Sequence, residues 1–412
     1  MQVVVVVPPP TCFAERSFAR LTRTVCGVGL LERTMATAQR AGASDILLIW
    51  PQSMLVELAA PFLRSPLLHG TGKVRLVQVE GFDPDARSSW KSLEDQLEDR
   101  FVWLPWNWVT NARALAGLPK LEQSPTNWEL PAWTFKTSMV SEASHHSQTT
   151  PLPEGVAVTS DCTTEAAERF LVARSGKASD GIHSSFNRWL CRPIVKWLSH
   201  TSVTPNAVTF GGVLVAIVSG IVFALGNYWS YVVGAVLFFI AGLFDEIDGM
   251  LARTKFADSP SGTYLESFAD SVSYLLLFGG ITIGLYRQLG TRALWVGAAL
   301  LVGTVLALVV TTLQRKRAAS ADRPTEYLGN FHRKLEEDSS NWLSRGVRHI
   351  QGFQRRGIMI HYVLLFTVLG GLQILFYLAT LGAHLTWTLA LYYNQRFFNQ
   401  APSAPPRAIQ TS

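Results

Sequence analysis

The sequence predicts two architectures in one chain, an α/β domain over residues 1–160 and an all-α domain of six transmembrane helices over residues 201–400. Three observations carry this. Short apolar runs alternate with helical patterns from residue 3 to residue 104, the rhythm of a parallel sheet covered by helices. Six later segments are each long and apolar enough to span a bilayer. The 412-residue chain is 48% hydrophobic and its mean hydropathy is +0.19, a balance that suits a protein partly embedded in membrane.

The α/β domain opens on the valine run at 3–7, β-branched residues that favour a strand. A helical pattern follows near 29–41, then DILLIW at 45–50, VRLVQV at 74–79 and FVWLP at 101–105. Met1 to Val7 has no basic stretch and too short an apolar run before Pro8, so neither a signal peptide nor a membrane anchor is expected there. Residues 120–160 turn to Ser, Thr and Pro and are expected as loop. Cys12, Cys26, Cys162 and Cys191 share no metal-ligand spacing, so reduced structural thiols are expected. The net charge of +6 comes without a basic patch interleaved with aromatics, so nucleic acid is not an expected partner.

Residues 161–200 are expected as a linker and an amphipathic helix. Phe186, Trp189, Leu190, Ile194, Trp197 and Leu198 share one face, opposite Asn187, Arg188, Arg192 and Lys196, as a helix lying on a membrane surface requires. Pro205 suits the first turn of the next helix. The spans are expected at 207–226, 229–251, 264–286, 293–313, 358–380 and 382–399, and residues 401–412 as a disordered tail. Between 314 and 357 lie ten basic residues, including Arg315, Lys316, Arg317, Arg355 and Arg356, whereas the opposite connections hold Arg287 and Arg292. By the positive-inside rule both termini face the cytoplasm, with the chain multi-pass in the cytoplasmic (inner) membrane.

The stretch from Asp245 to Asp270, DEIDGMLARTKFADSPSGTYLESFAD, lies at the mouths of two of these spans. On helices, Asp245 and Asp248 share a face at i, i+3, and Glu266 and Asp270 at i, i+4. A carboxylate at membrane depth costs roughly 3 kcal/mol, so four together call for positive charge among them. Hard oxygen donors in this number suit Mg²⁺ or Mn²⁺, bound with the phosphates of a substrate. Gly249 lets a ligand approach the backbone, and Arg253 and Lys255 offer cations to phosphate oxygens. The plainer alternative is a charged turn joining two membrane helices.

These residues resemble the signature of the CDP-alcohol phosphotransferase family, Asp-x2-Asp-Gly-x2-Ala-Arg-x8-Gly-x3-Asp-x3-Asp. It fits at Asp245, Asp248, Gly249, Ala252, Arg253, Gly262 and Asp270, with Glu266 standing where the family has aspartate. The N-terminal layout resembles a nucleotidyltransferase domain. KASDGIHSSFNRWL and TPNAVT resemble the fused cytidylyltransferase and phosphotransferase proteins that make inositol phosphodiesters. The resemblance implies a membrane enzyme that holds two divalent ions on Asp245, Asp248, Glu266 and Asp270 and transfers a substituted phosphate from a CDP-alcohol to an acceptor hydroxyl, releasing CMP. It further implies Asp270 as the base, Pro205 and Asn206 on the cytidine side with Gly249, Ala252 and Gly262 lining the donor, and a homodimer in the bilayer. Arg315, Arg317, Arg355 and Arg356 are the spare cations for a polyol-phosphate acceptor, as against a neutral polyol. The N-terminal domain is expected to be degenerate, because Pro8, Pro9 and Pro10 occupy the phosphate-cradling loop without N–H groups to offer, and Asn107 stands where a metal-binding acid would fall. The rival readings are a bifunctional enzyme that also makes its CDP-alcohol, and a non-catalytic membrane scaffold.

Overall fold

Valines at 3–6 leave little choice but an extended, enclosed strand, and in the computed structural model Gln2–Val6 is β1, buried along its whole length. The structure describes residues 1–9, 21–68, 72–84, 86–98, 100–117, 133–136, 154–176, 182–318 and 356–398. They form two compact units. One takes Met1–Gly176, Arg192–Ser202 and Arg253–Phe256; the other takes Lys177–Cys191, Val203–Ala252 and Ala257–Ser412.

In the N-terminal unit a small antiparallel pair, β2 (Thr24–Val25) and β3 (Val28–Gly29), leads into α1, Leu30–Arg40. The sheet is built by β1, β4 (Asp45–Pro51), β5 (Lys73–Val79) and β6 (Arg100–Pro105), all parallel, in the order β5-β4-β1-β6. A strand buried on both faces reads as a continuous apolar run, which is why VVVV and ILLIW show no alternation. Val4, Val6, Leu47 and Ile49 pack with Phe82, Trp90, Leu93, Phe101 and Trp103.

Two stretches expected as loop or linker are ordered. β8 (Trp133–Lys136) adds to β6 antiparallel, while β7 (Trp108–Thr110) pairs with β9 (Gly155–Ala157). Asp161–Arg174 is a helix, α2, whose start is fixed by a capping box between Ser160 and Thr163. Asn107 sits in the turn before β7, donating from Nδ2 to the Val158 carbonyl and accepting from the Val158 amide. Pro10 lies outside the described residues.

Asp45 accepts two hydrogen bonds from Arg75 across the β4–β5 pair, and these hold its carboxyl below the usual range. A depressed folded pKa adds stability that is complete above the unfolded value of about 3.9 and is lost as the pH falls through the folded one. Arg75 is partly exposed, so the pair is worth under about 1 kcal/mol. Arg75→Ala is therefore expected to lower the melting temperature slightly at pH 7, with the gap to wild type closing below about pH 4. A gap unchanged at pH 3 would refute this.

The remaining elements are helices: α3 (Ile182–Ser199), α4 (Pro205–Ala224), α5 (Tyr228–Lys255), α6 (Pro260–Leu289), α7 (Thr291–Ala318), α8 (Arg356–Val368) and α9 (Leu372–Phe398). Among the described residues five of them, α4 to α7 and α9, are long and apolar enough to cross a membrane. Six spans were expected. The fifth expected span, 358–380, is broken because Gly370 takes φ +73° and the Gly371 amide closes back on the Phe366 carbonyl, ending α8. At 1.5 Å per residue, the part of α8 within Gly357–Val368 spans only about 18 Å, short of a hydrocarbon core of roughly 30 Å. The chain then restarts as α9.

The core of the C-terminal unit joins Phe223 of α4, Phe238 of α5, Leu277 and Ile281 of α6, Leu300 of α7, Ile360 of α8 and Phe376 of α9. Glycines set how closely α4 and α6 run. A Cβ on Gly280 would stand 2.2 Å from the Gly220 carbonyl oxygen, and one on Gly284 2.3 Å from that of Phe223. Backbone meets backbone there, as at small-residue contacts between membrane helices.

In α3 the expected apolar face is open, with Trp189 60% and Trp197 67% exposed, but Leu198 is buried. The expected polar face is partly enclosed. Asn187 is fully buried and donates to the Gly357 carbonyl, and the buried Arg188 lies 3.9 Å from Glu246. The helix pattern gave the periodicity correctly and assigned these two residues to water wrongly, because a protein neighbour can satisfy a polar side chain as well as solvent does.

Candidate active site

The site is built where α4, α5 and α6 begin or end. Thr204 caps α4, accepting from the Ala207 amide at 3.3 Å, with Pro205 in the first turn. Ser259 caps α6, accepting from the Gly262 amide at 3.0 Å, with Pro260 in its first turn. Both starts follow the same rule, a hydroxyl for an orphan amide and a proline where no N–H is needed. Asn206 and Gly262 meet here, for a Cβ on Gly262 would lie 3.7 Å from Asn206 Oδ1.

Asp245 and Asp248 sit near the end of α5, and Glu266 and Asp270 lie one turn apart on α6. Asp248 is only 4% exposed, while Asp245, Glu266 and Asp270 are half-buried. The charges that act on Asp248 are those of Asp245 and Glu266, so carboxylates of two helices share one electrostatic neighbourhood. Thr209 on α4 donates its hydroxyl to Asp248 Oδ2 at 2.5 Å, and the Gly249 amide also bonds Asp248. Such bonds orient a carboxylate for a cation in the way outer partners orient metal ligands.

Like charges enclosed together are costly unless a cation comes among them. The donors are all hard carboxylate oxygens, which fits Mg²⁺ or Mn²⁺. Among the described residues no three His, Cys, Asp or Glu side chains are already drawn into a closed ligand cluster.

Arg253 donates from Nε to the Ser175 carbonyl, and Lys255 donates to the Thr201 carbonyl at 2.6 Å, both within the N-terminal unit. Ala252 accepts the Ala257 amide at 2.8 Å. Arg355 and the side chains of Arg315, Arg317 and Arg356 lie outside the described residues. Two residues were not singled out from the sequence. Thr209 lies one turn beyond Pro205 in TPNAVT, a spacing that would have found it, and Tyr274 lies on α6 in range of the Asp245 charge, one turn beyond Asp270.

Residues 202–387 match the family described as CDP-alcohol phosphatidyltransferase. Over 123 residues the chain is 30% identical to cholinephosphotransferase 1 of Gallus gallus, covering 28% of this chain and 35% of that protein. It is 34% identical over 100 residues to the archaetidylinositol phosphate synthase of Methanothermobacter thermautotrophicus, covering 24% of this chain and 50% of the relative. With the phosphatidylinositol phosphate synthase of Mycolicibacterium smegmatis it shares 29% identity over 135 residues, 32% of this chain and 59% of the relative. The chain thus spans between about a third and three fifths of the length of these relatives. The matched span contains the three-helix carboxylate site entire, so it is over residues 202–387 that the chain is similar to CDP-alcohol phosphatidyltransferases.

Proposed function

We propose that this protein is an integral-membrane CDP-alcohol phosphotransferase that moves a substituted phosphate from a CDP-alcohol, of the CDP-diacylglycerol or CDP-inositol type, to an acceptor hydroxyl with release of CMP. What supports the reading above all is that Asp245, Asp248 and Glu266, on two helices, lie within electrostatic range of one another, in a region whose relatives are named for choline phosphate transfer and inositol phosphate lipid synthesis. A membrane scaffold has no use for enclosed carboxylates of one sign.

Asp245, Asp248, Glu266 and Asp270 would hold two divalent ions, Mg²⁺ or Mn²⁺, which would supply positive charge to offset that of the donor diphosphate. Thr209 keeps the Asp248 carboxylate turned toward the site. Asn206 and Gly262 form the cytidine side, where the missing side chain of Gly262 leaves room beside the Asn206 amide. The acceptor hydroxyl gives its proton to the Asp270 carboxylate, its oxygen bonds to the phosphorus that carries the alcohol, and the bond from that phosphorus to CMP breaks. The acceptor is a polyol or polyol phosphate. The protein works as a homodimer, multi-pass in the cytoplasmic membrane with the site on the cytoplasmic side, and its N-terminal unit is a nucleotidyltransferase-like domain without activity of its own.

Incubating the purified full-length protein with Mg²⁺, CDP-diacylglycerol or CDP-inositol, and inositol, inositol phosphate, glycerol or glycerol phosphate should release CMP from one pairing. No CMP from any pairing, with the protein shown to be folded, would reject the reading. In the active pairing, Glu266→Asp restores the family's shorter acid and is expected to keep or raise turnover. A folded but inactive Glu266→Asp protein would show that the site is fitted to glutamate.

A further inference from the structure

The end of α5 is bound residue by residue. Arg33, on α1, is fully enclosed and donates from Nε and Nη2 to the Val25 carbonyl and from Nη2 to that of Thr254, at 2.9 Å. Burial lowers its pKa to about 10, so it stays charged at neutral pH. Arg40, two turns on along α1, donates to the Phe256 carbonyl at 2.8 Å. Both guanidinium carbons stand 4.9 Å from the centroid of the Phe256 ring. Lys255 and Arg253 complete the set through the carbonyls of Thr201 and Ser175. All of these groups belong to the N-terminal unit.

Two pieces of physical chemistry make this more than packing. The last carbonyls of a helix lack partners and its C-terminal end carries partial negative charge, so two guanidinium groups there satisfy both needs. The residue that closes a helix with φ above zero is usually glycine, yet here it is Phe256 at φ +57°, with the Ala257 amide bonding back to Ala252 as such an ending requires. A phenyl side chain at that strained position gains what glycine cannot, a ring for two arginines.

We propose that Arg33, Arg40 and Phe256 are positioning residues for the carboxylate helix: they hold the C-terminal end of α5, and with it the bearing of Asp248 and Asp245, two and three turns upstream on the same helix. The proposal rests on the reading that these carboxylates hold divalent cations.

The test uses the full-length protein, with amide exchange at residues 249–256 and Mn²⁺ binding followed by electron paramagnetic resonance, neither of which depends on turnover. Arg33 is too enclosed to remove without risk to folding, so the variants are Arg40→Ala, Phe256→Gly and Phe256→Tyr. Glycine favours the positive φ, so any loosening in Phe256→Gly cannot come from added strain. In Phe256→Gly exchange should quicken about tenfold and half-saturating Mn²⁺ should rise about tenfold, and in Arg40→Ala, where the lost contact is an exposed one, each should change about threefold. Phe256→Tyr keeps the ring and should match wild type on both counts. Unchanged exchange in the first two variants overturns the proposal, and so does faster exchange with unchanged Mn²⁺ binding. Wild-type protein that binds no Mn²⁺ would refute the carboxylate assignment and with it the positioning role, leaving exchange to report only whether the arginines hold the helix end.

Discussion

Asp248→Asn is expected to bring Mg²⁺-dependent CMP release down to the level of a blank without protein, with the helices intact by circular dichroism. The amide has nearly the volume of the carboxylate and can still accept the Thr209 hydroxyl, so packing around α4 and α5 is kept. What is lost is one negative charge in a place only 4% exposed, where no water replaces the missing ligand and electrostatic effects are strong. The matching change at the half-buried Asp245 should cripple the protein too, and raising Mg²⁺ should recover more activity there, because solvent can fill the vacated position. Turnover of Asp248→Asn within about tenfold of wild type would mean that this carboxylate serves the fold and not the cation, since removing a direct charged contact to the transition state costs far more than tenfold.

Gly280→Leu is expected to leave almost no folded protein, judged by the monodisperse fraction after extraction into detergent. The first added carbon would lie 2.2 Å from the Gly220 carbonyl oxygen, well inside van der Waals contact, and that neighbour is backbone, which cannot turn away as a side chain can. Overpacking a core by a few carbons typically costs 1–3 kcal/mol, and about 3 kcal/mol is the low end here because α4 and α6 must separate along their length. Gly279→Leu, one residue earlier, is the control. Nothing lies within 4 Å of a Cβ there, so near-normal yield is expected. Equal yields from the two variants would show that the helices tolerate a wider spacing.

Much of this was legible in the sequence, and the reasons differ by element. The valine run and the ILLIW strand declare themselves because fully enclosed strands are apolar without interruption. The carboxylates were legible because few arrangements of two helices tolerate four acids spaced at three and four residues beside apolar spans. Helix α2 was hidden inside a polar stretch whose capping residues, Ser160 and Thr163, look like loop composition until their spacing is read. The break at Gly370 and Gly371 was passed over because apolar residues continue on both sides and hydropathy is blind to backbone angle. The partners of Arg253 and Lys255 were beyond reach, since Ser175 and Thr201 accept through backbone carbonyls, which every residue has. For the same reason Asn187, whose partner is the Gly357 carbonyl, was set facing water.

The N-terminal unit is drawn from three separate stretches of chain, and this bears on how such a protein can be inherited. A crossover or gene fission near residue 160, the natural boundary by composition, would separate Cys26 from Glu168, whose carboxylate accepts its amide at 3.2 Å, and Arg23 from Thr164, whose hydroxyl accepts from its guanidinium at 3.1 Å. It would also leave Arg33 and Arg40 on one product and Phe256 on the other. Recombination favours boundaries that few bonds cross. A cut near residue 160 is not of that kind, so the stretches on its two sides are expected to be inherited together.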